Sequence, residues 1–232
     1  MSRVAEHTAR GPLLVDVVEL TPTLRDDAVR VLAEAFLDDP AWVAIGPDRK
    51  PARLRLLLGY YEVLTGEALR WGGPHYCAVS DREVVGVALT YAEGAQFPPP
   101  RATLREAPPF IRSGPGPGLR AAYVDYVMKR AHPRDEHLLL WYLAAHPDFQ
   151  RRGVGRALLL RVLGEAEDRG LPIYLDTTRS ENVSYYESYG FHSTGEARLP
   201  RQARVWFMRR EHRPAASAPD LEQHGNIHGR RG

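Results

Sequence analysis

Seven consecutive residues, Gln150-Arg151-Arg152-Gly153-Val154-Gly155-Arg156, combine two glycines with three arginines. An apolar run, Leu138 to Ala145, precedes them, and apolar residues at helical spacing, Val154 to Ala166, follow. The glycines and arginines therefore fall where a buried strand turns into a helix. A helix start offers free backbone N–H groups and the positive end of the helix dipole. Such a place can hold phosphate. A P-loop would need Lys and then Ser or Thr after its last glycine, where Arg156 and Ala157 stand. A dinucleotide fingerprint would need a third small residue where Leu158 stands. The same residues also fit a plain helix start with a tight turn and solvated arginines. The segment alone does not separate the two.

Other chemistry is limited by composition. Cys77 is the only cysteine, which excludes an internal disulfide and a thiolate metal cluster. His212, His224 and His228 lack a metal-ligand spacing, so no metal is expected. The net charge of +2 gives no argument for nucleic acid. No apolar run approaches the length of a membrane span, and residues 1–10 lack the apolar centre of a signal peptide. A cytoplasmic setting is the expectation. The 232 residues suffice for one sizeable core.

The elements that position the glycine-rich turn can be read in order. A loose arm is expected over 1–13, then a strand from Val15 to Leu20. Thr23 is placed to cap a helix that buries Leu24, Ala28, Val31, Leu32, Ala35 and Phe36, with Asp26 and Asp27 in its first turn. That helix should end near Asp38-Asp39-Pro40. A second helix is expected from Pro51 to Ala68. His75 to Ser80 and Val84 to Tyr91 read as a hairpin. Residues 93–118, rich in Pro and Gly, read as a long loop, either a lid or a surface excursion. Leu119 to Ala131 is helical. Glu136 to Ala145 is the central strand, apolar enough to be covered on both faces. The helix after Gly153 ends at Gly170. Ile173 to Leu175 then implies a right-handed parallel crossover. A short helix, Glu181 to Tyr189, and an antiparallel pair, Phe191 to Gly195 with Arg204 to Met208, complete a domain over 14–211. Residues 212–232 read as a disordered tail.

Three stretches in this order carry a resemblance. They are Leu143-Ala144-Ala145-His146-Pro147, the Gln150 to Gly155 turn with its helix, and Asn182-Val183-Ser184-Tyr185-Tyr186-Glu187-Ser188-Tyr189-Gly190-Phe191. Together they resemble the GNAT superfamily of acyl-CoA-dependent N-acetyltransferases. Leu32 to Phe36 with Asp39-Pro40, and Leu175-Asp176-Thr177-Thr178 leading to Asn182, are similar to its puromycin N-acetyltransferase-like branch, from which residues 92–135 depart. The fold implied is α/β: a central mixed sheet of about six or seven strands flanked by helices.

The resemblance also implies a chemistry. Acetyl-CoA would be the acyl donor. The backbone of Leu143, Ala144 and Ala145 would run along the pantetheine arm, as an added strand does. Gln150, Arg151, Arg152, Gly153, Val154, Gly155 and Arg156 would hold the pyrophosphate. Asn182 would bond the CoA arm or cap its helix. Tyr186 would give a proton to the leaving thiolate, or be a core tyrosine. The acceptor would be a primary amine of a small molecule, an aminonucleoside or other antibiotic-like amine among the options. Phe36, Trp42, Tyr60, Tyr91, Tyr142 and Asp176 are candidates for its pocket, with Tyr123 beside them. An alkylammonium is only about one part in a thousand neutral at pH 7, so a base is needed; Glu136, Asp39 and Asp176 are candidates. Direct attack in a ternary complex is expected rather than relay through Cys77. The alternatives are acetylation of a protein or peptide amine and a non-catalytic acyl-CoA sensor. The chain is expected to be a monomer or homodimer.

Overall fold

The computed structural model describes residues 11, 13–92 and 100–212. One seven-stranded sheet runs through them, in the order β1-β2-β3-β4-β5-β7-β6. The strands are β1 (Asp16–Glu19), β2 (Tyr76–Ser80), β3 (Glu83–Ala92), β4 (Leu138–Ala145), β5 (Ile173–Thr177), β6 (His192–Arg198) and β7 (Arg204–Arg210). The helices are α1 (Arg25–Ala35), α2 (Pro40–Ile45), α3 (Lys50–Trp71), α4 (Pro100–Arg112), α5 (Pro115–Ala131), α6 (Val154–Arg169) and α7 (Ser180–Glu187). The α/β fold class and strand count expected from the sequence stand. Among the described residues only β4 and β5 are parallel; the other pairings are antiparallel.

Alternation along the central strands divides the core. Leu138 and Leu140 of β4, with Ile173 and Leu175 of β5, pack against Leu158, Leu159 and Val162 of α6 on one face. Leu139 and Tyr174 point to the other face, where α2 and α5 supply Ile45 and Val124. There α1 and α3 cover β2 and β3 through Leu32, Leu57, Leu64, Cys77 and Leu89. Glycine makes one close approach possible. A Cβ on Gly86 of β3 would lie 2.5 Å from Val154 Cγ1, so its absence lets the start of α6 settle onto the sheet.

Four local expectations are corrected. Thr23 does not cap α1: the N-cap is Leu24 with no side-chain bond, and the Thr23 hydroxyl meets Thr21 Oγ1 at 2.8 Å instead. α1 ends at Ala35, a few residues short of Asp38-Asp39-Pro40, and Asp39 serves as the N-cap of a further, unexpected helix, α2, accepting from Ala41 N at 2.9 Å. Of the stretch 93–118, expected as one long loop, residues 93–99 lie outside the described residues, and 100–118 are mostly helical. Pro100 opens α4 and Pro115 opens α5, each at a helix start where the missing N–H costs nothing, and Gly114 at φ 95° separates them. Finally, β4 is not covered on both faces throughout, since Trp141 to Leu143 are only partly buried. The arm and tail fall mostly outside the described residues. Leu13 N donates to Arg152 O at 2.9 Å, tying the end of the arm to the glycine-rich turn.

Candidate active site

The sheet opens at its centre. β4 pairs with β5 only from Leu138 to Leu140. Beyond Leu140, β5 continues against β7 through Asp176 and Thr177, and β4 goes its own way. On the β3 side the register slips between Leu89, opposite Tyr142, and Thr90, opposite Leu140. Trp141 is the extra residue of this bulge, and bulges bend the strand that carries them. From Tyr142 to Ala145 β4 therefore has no strand paired with it on the β5 side. The gap is part of a cavity of about 1560 Å³.

The glycine-rich turn forms one end of this cavity. Arg151 (φ 58°) and Gly153 (φ 91°) take left-handed conformations that swing the chain into α6, with Gly153 as N-cap. The first helical bond is Ala157 N to Gly153 O, 2.9 Å, so the amides of the first turn have no partner within α6. A Cβ on Gly153 or Gly155 would meet nothing within 4 Å, and both residues line the cavity. The glycine pair thus opens toward the cavity. Arg151 and Arg156 line it too, which suits a ligand with phosphate. Gln150 Nε2 donates to Ala145 O at 3.3 Å and ties the turn to the end of β4.

Two expected residues do not join this end with their side chains. Arg152 turns away: its guanidinium lies 5.5 Å from the centre of the Phe149 ring and its Nε donates to Gly11 O at 3.5 Å. Val154 is buried on the sheet beside Gly86 and has only its backbone to offer. Leu143, Ala144 and Ala145 line the cavity as expected.

Tyr186 of α7 is buried beside Phe191 and lines the same cavity. Burial, with lesser effects from Tyr185 and Asp176, raises its phenol well above the usual range, so it keeps its proton at neutral pH. Asn182 also lines the cavity. It sits inside α7 rather than capping it, and Nδ2 donates to Thr177 Oγ1 at 3.3 Å.

The other end is aromatic. Trp42 and Tyr60 meet edge to face at 4.9 Å, Phe110 stacks on Trp42 at 6.3 Å, and Phe36 meets Tyr142 edge to face at 5.4 Å. The hydroxyls of Tyr60 and Tyr142 are 3.2 Å apart. All of these line the cavity, with Trp141. Tyr91 and Tyr123 do not: Tyr91 packs edge-on against Trp71 at the end of α3, and Tyr123 is exposed on α5. Phe110 and Trp141 were not singled out by sequence. Trp141 reads as one more apolar residue of a buried strand, and Phe110 lies in the Pro/Gly-rich stretch.

Carboxylates face this aromatic chamber. Asp176, at the end of β5, is raised to about 7 by burial and by the Asp39 charge. Asp39 is itself raised, because burial outweighs the bonds it accepts from the Thr178 hydroxyl (3.0 and 2.9 Å) and Ala41 N. Arg53 of α3, buried, holds the connection that carries Asp39, donating to Leu37 O (2.7 Å) and Pro47 O (2.8 Å). Glu136 is exposed and lies off the cavity. Cys77 is buried in β2 with its thiol pushed up to about 12 by burial, unlike an activated nucleophile, and is not among the lining residues. Among the described residues no group of three or more His, Cys, Asp or Glu side chains could hold a metal ion. No described helix is long and apolar enough to cross a membrane.

Comparison with known proteins agrees with this geometry. A ribosomal protein bS18 alanine N-acetyltransferase of Salmonella typhimurium is 44% identical over 55 residues, which is 22% of this chain and 37% of that protein. The chain therefore matches well under half the length of that relative. The fold is similar to a crystal structure of histone acetyltransferase HPA2 and related acetyltransferase from Corynebacterium glutamicum, with TM-score 0.65, 22% identity, and 87% and 98% of the two chains covered. It is also similar to a Drosophila melanogaster polyamine N-acetyltransferase, with TM-score 0.58, 15% identity, and 84% and 98% covered. The sequence profile of the GNAT acetyltransferase family matches residues 38–191, well over half of the chain. The chain belongs to the GNAT family of acetyltransferases, acyltransferases that use acetyl-CoA.

Proposed function

We propose that the protein transfers the acetyl group of acetyl-CoA to the primary amine of a small molecule, with residues 14–211 as the catalytic domain. One observation carries this reading: a single cavity joins the open glycine pair of α6 to an aromatic chamber that ends in carboxylates. Its volume, about 1560 Å³, exceeds the ~300–1,000 Å³ of an ordinary ligand pocket and suits two substrates at once. Rings on several sides favour a compact acceptor over an extended peptide lying in a groove. An aminonucleoside remains within this class.

Acetyl-CoA supplies a thioester carbonyl for the amine and a thiol that leaves. The amides of Gly153 to Arg156, with Arg151 and Arg156, hold the pyrophosphate. The β5-facing side of β4 at Tyr142 to Ala145, which has no strand paired with it, aligns the pantetheine arm, and an N–H there steadies the carbonyl oxygen as it gains charge. Asp176 takes the proton of the ammonium, so the neutral nitrogen can attack. A carboxyl group near 7 is matched to that task at neutral pH. As the C–S bond breaks, the Tyr186 hydroxyl gives its proton to the departing sulfur and regains one from the attacking nitrogen, which thereby becomes the amide N–H. Asp39 keeps Asp176 raised by its like charge, and Thr178 holds Asp39 in place.

The test is release of free CoA thiol from acetyl-CoA over a panel of acceptors: alkylamines, arylalkylamines, aminonucleosides and short peptides with free N-termini. Turnover of small amines above peptides is the expected result. Preference for peptides would move the acceptor to the protein class. Tight CoA binding without turnover on any acceptor would make the protein a sensor.

A further inference from the structure

The acceptor chamber holds a carboxylate that the transfer chemistry leaves unused. Glu106 lies on α4, in the stretch that departs from the puromycin-type branch, and lines the cavity. Its Oε1 is shielded from solvent and accepts no hydrogen bond from any described residue. A carboxylate oxygen in that state is costly unless something charged arrives to meet it.

The nearby cations are already engaged. Arg105, the preceding residue, donates to the buried Glu67 of α3 at 2.6 Å, and Arg70 donates to the same oxygen at 2.7 Å. Lys129 of α5 bonds Asp125 at 2.7 Å. The Lys129 charge eases that of Glu106 in part, Asp125 and Glu67 oppose it, and among the described residues no cation donates a hydrogen bond to Glu106 Oε1. Toward the cavity it faces rings. Its charge is felt by the Tyr60 and Tyr142 phenols, and Phe110, one turn along α4, stacks on Trp42. Tyr142 also feels Asp176 and Asp39. Carboxylates from three separate elements thus border one aromatic chamber, and aromatic faces attract cations as well. Burial lifts Glu106 to about 7, the expected state of an acid whose partner is missing.

We infer that Glu106 sets acceptor specificity by receiving a second positive charge, so that diamines and guanidino-amines are preferred to simple monoamines. This rests on the amine-transfer reading above. One nitrogen meets Asp176 and loses its proton there. The other stays charged between Glu106 and the rings.

Thiol release is measured with putrescine, cadaverine and agmatine against butylamine and pentylamine, in the wild type and in Glu106→Gln. The wild type should favour the dications by at least ~10-fold in kcat/KM, as a charge-assisted contact allows. Glu106→Gln should lower kcat/KM for the dications at least ~10-fold more than for the monoamines, and mostly through KM. Calorimetric binding of putrescine, which needs no turnover, should weaken by a similar factor. Equal losses on both classes would mark Glu106 as a base or a structural support and overturn the inference. Monoamines used as well as dications by the wild type would overturn it and leave amine transfer standing. Putrescine binding unchanged in Glu106→Gln would overturn it whatever the enzyme turns over.

Discussion

Asp176 carries two opposed consequences. Its folded pKa, about 7, lies above the ordinary 3.8 because burial and Asp39 penalise its charge. As a base it works when deprotonated, so kcat/KM for an alkylamine should rise with pH through about 7. Asp176→Asn should cost at least ~100-fold in kcat/KM near neutrality and regain activity at high pH as free amine appears. For stability the sign reverses. Between the two pKa values the folded chain holds a proton at this position that the unfolded chain has lost. Stability from Asp176 is therefore full at low pH and declines as pH rises through about 7. Asp176→Asn should stabilise the chain by on the order of 1–3 kcal/mol at about pH 8 and hardly at all at about pH 4, as read by urea melts. A variant less stable at high pH would mean that the carboxylate is held by groups that favour its charge. Tyr186→Phe keeps the ring against Phe191 and removes only the hydroxyl. It should lower kcat by ~10–100-fold with little change in the KM for acetyl-CoA. Full turnover across pH in that variant would remove the acid role.

At the scale of elements, the start of α6 separates stability from binding. Gly155 lies inside the helix with open space beside its Cα, so Gly155→Ala should add ~0.5–1 kcal/mol through helix propensity. The added methyl points into the space proposed for pyrophosphate, so the KM for acetyl-CoA should rise several-fold. Gly153→Ala should instead destabilise by ~1 kcal/mol or more, because φ is 91° there. Thermal melts with saturation kinetics check both signs. This region was legible in the sequence, since the turn, the buried face of α6 and the Gly170 cap are all local signals. The split of β4 from β5 was less so. It depends on a bulge at Trp141 and on β5 turning to β7, which are relations between strands far apart in the chain. Residues 100–118 misled because Pro and Gly read as loop, whereas Pro100 and Pro115 sit where helices begin and Gly114 between the two helices. Glu106 and Phe110 were hidden with α4. Tyr91 was misassigned because aromatic type alone does not say which partner a ring meets.

At the scale of the molecule, the cavity spans the middle of the sheet. The start of α6 borders it from one face, while residues of α2, α4 and α5 line its aromatic part. β4 and β5 bound the passage between them. The decisive measurement is a crystal structure of the protein with CoA. The pyrophosphate should lie against the amides of Gly153 to Arg156, the pantetheine should run in the gap past Trp141 to Ala145, and the sulfur should end near the Tyr186 hydroxyl with the aromatic chamber ahead of it. CoA bound elsewhere, or the gap between β4 and β5 left closed around it, would contradict the account.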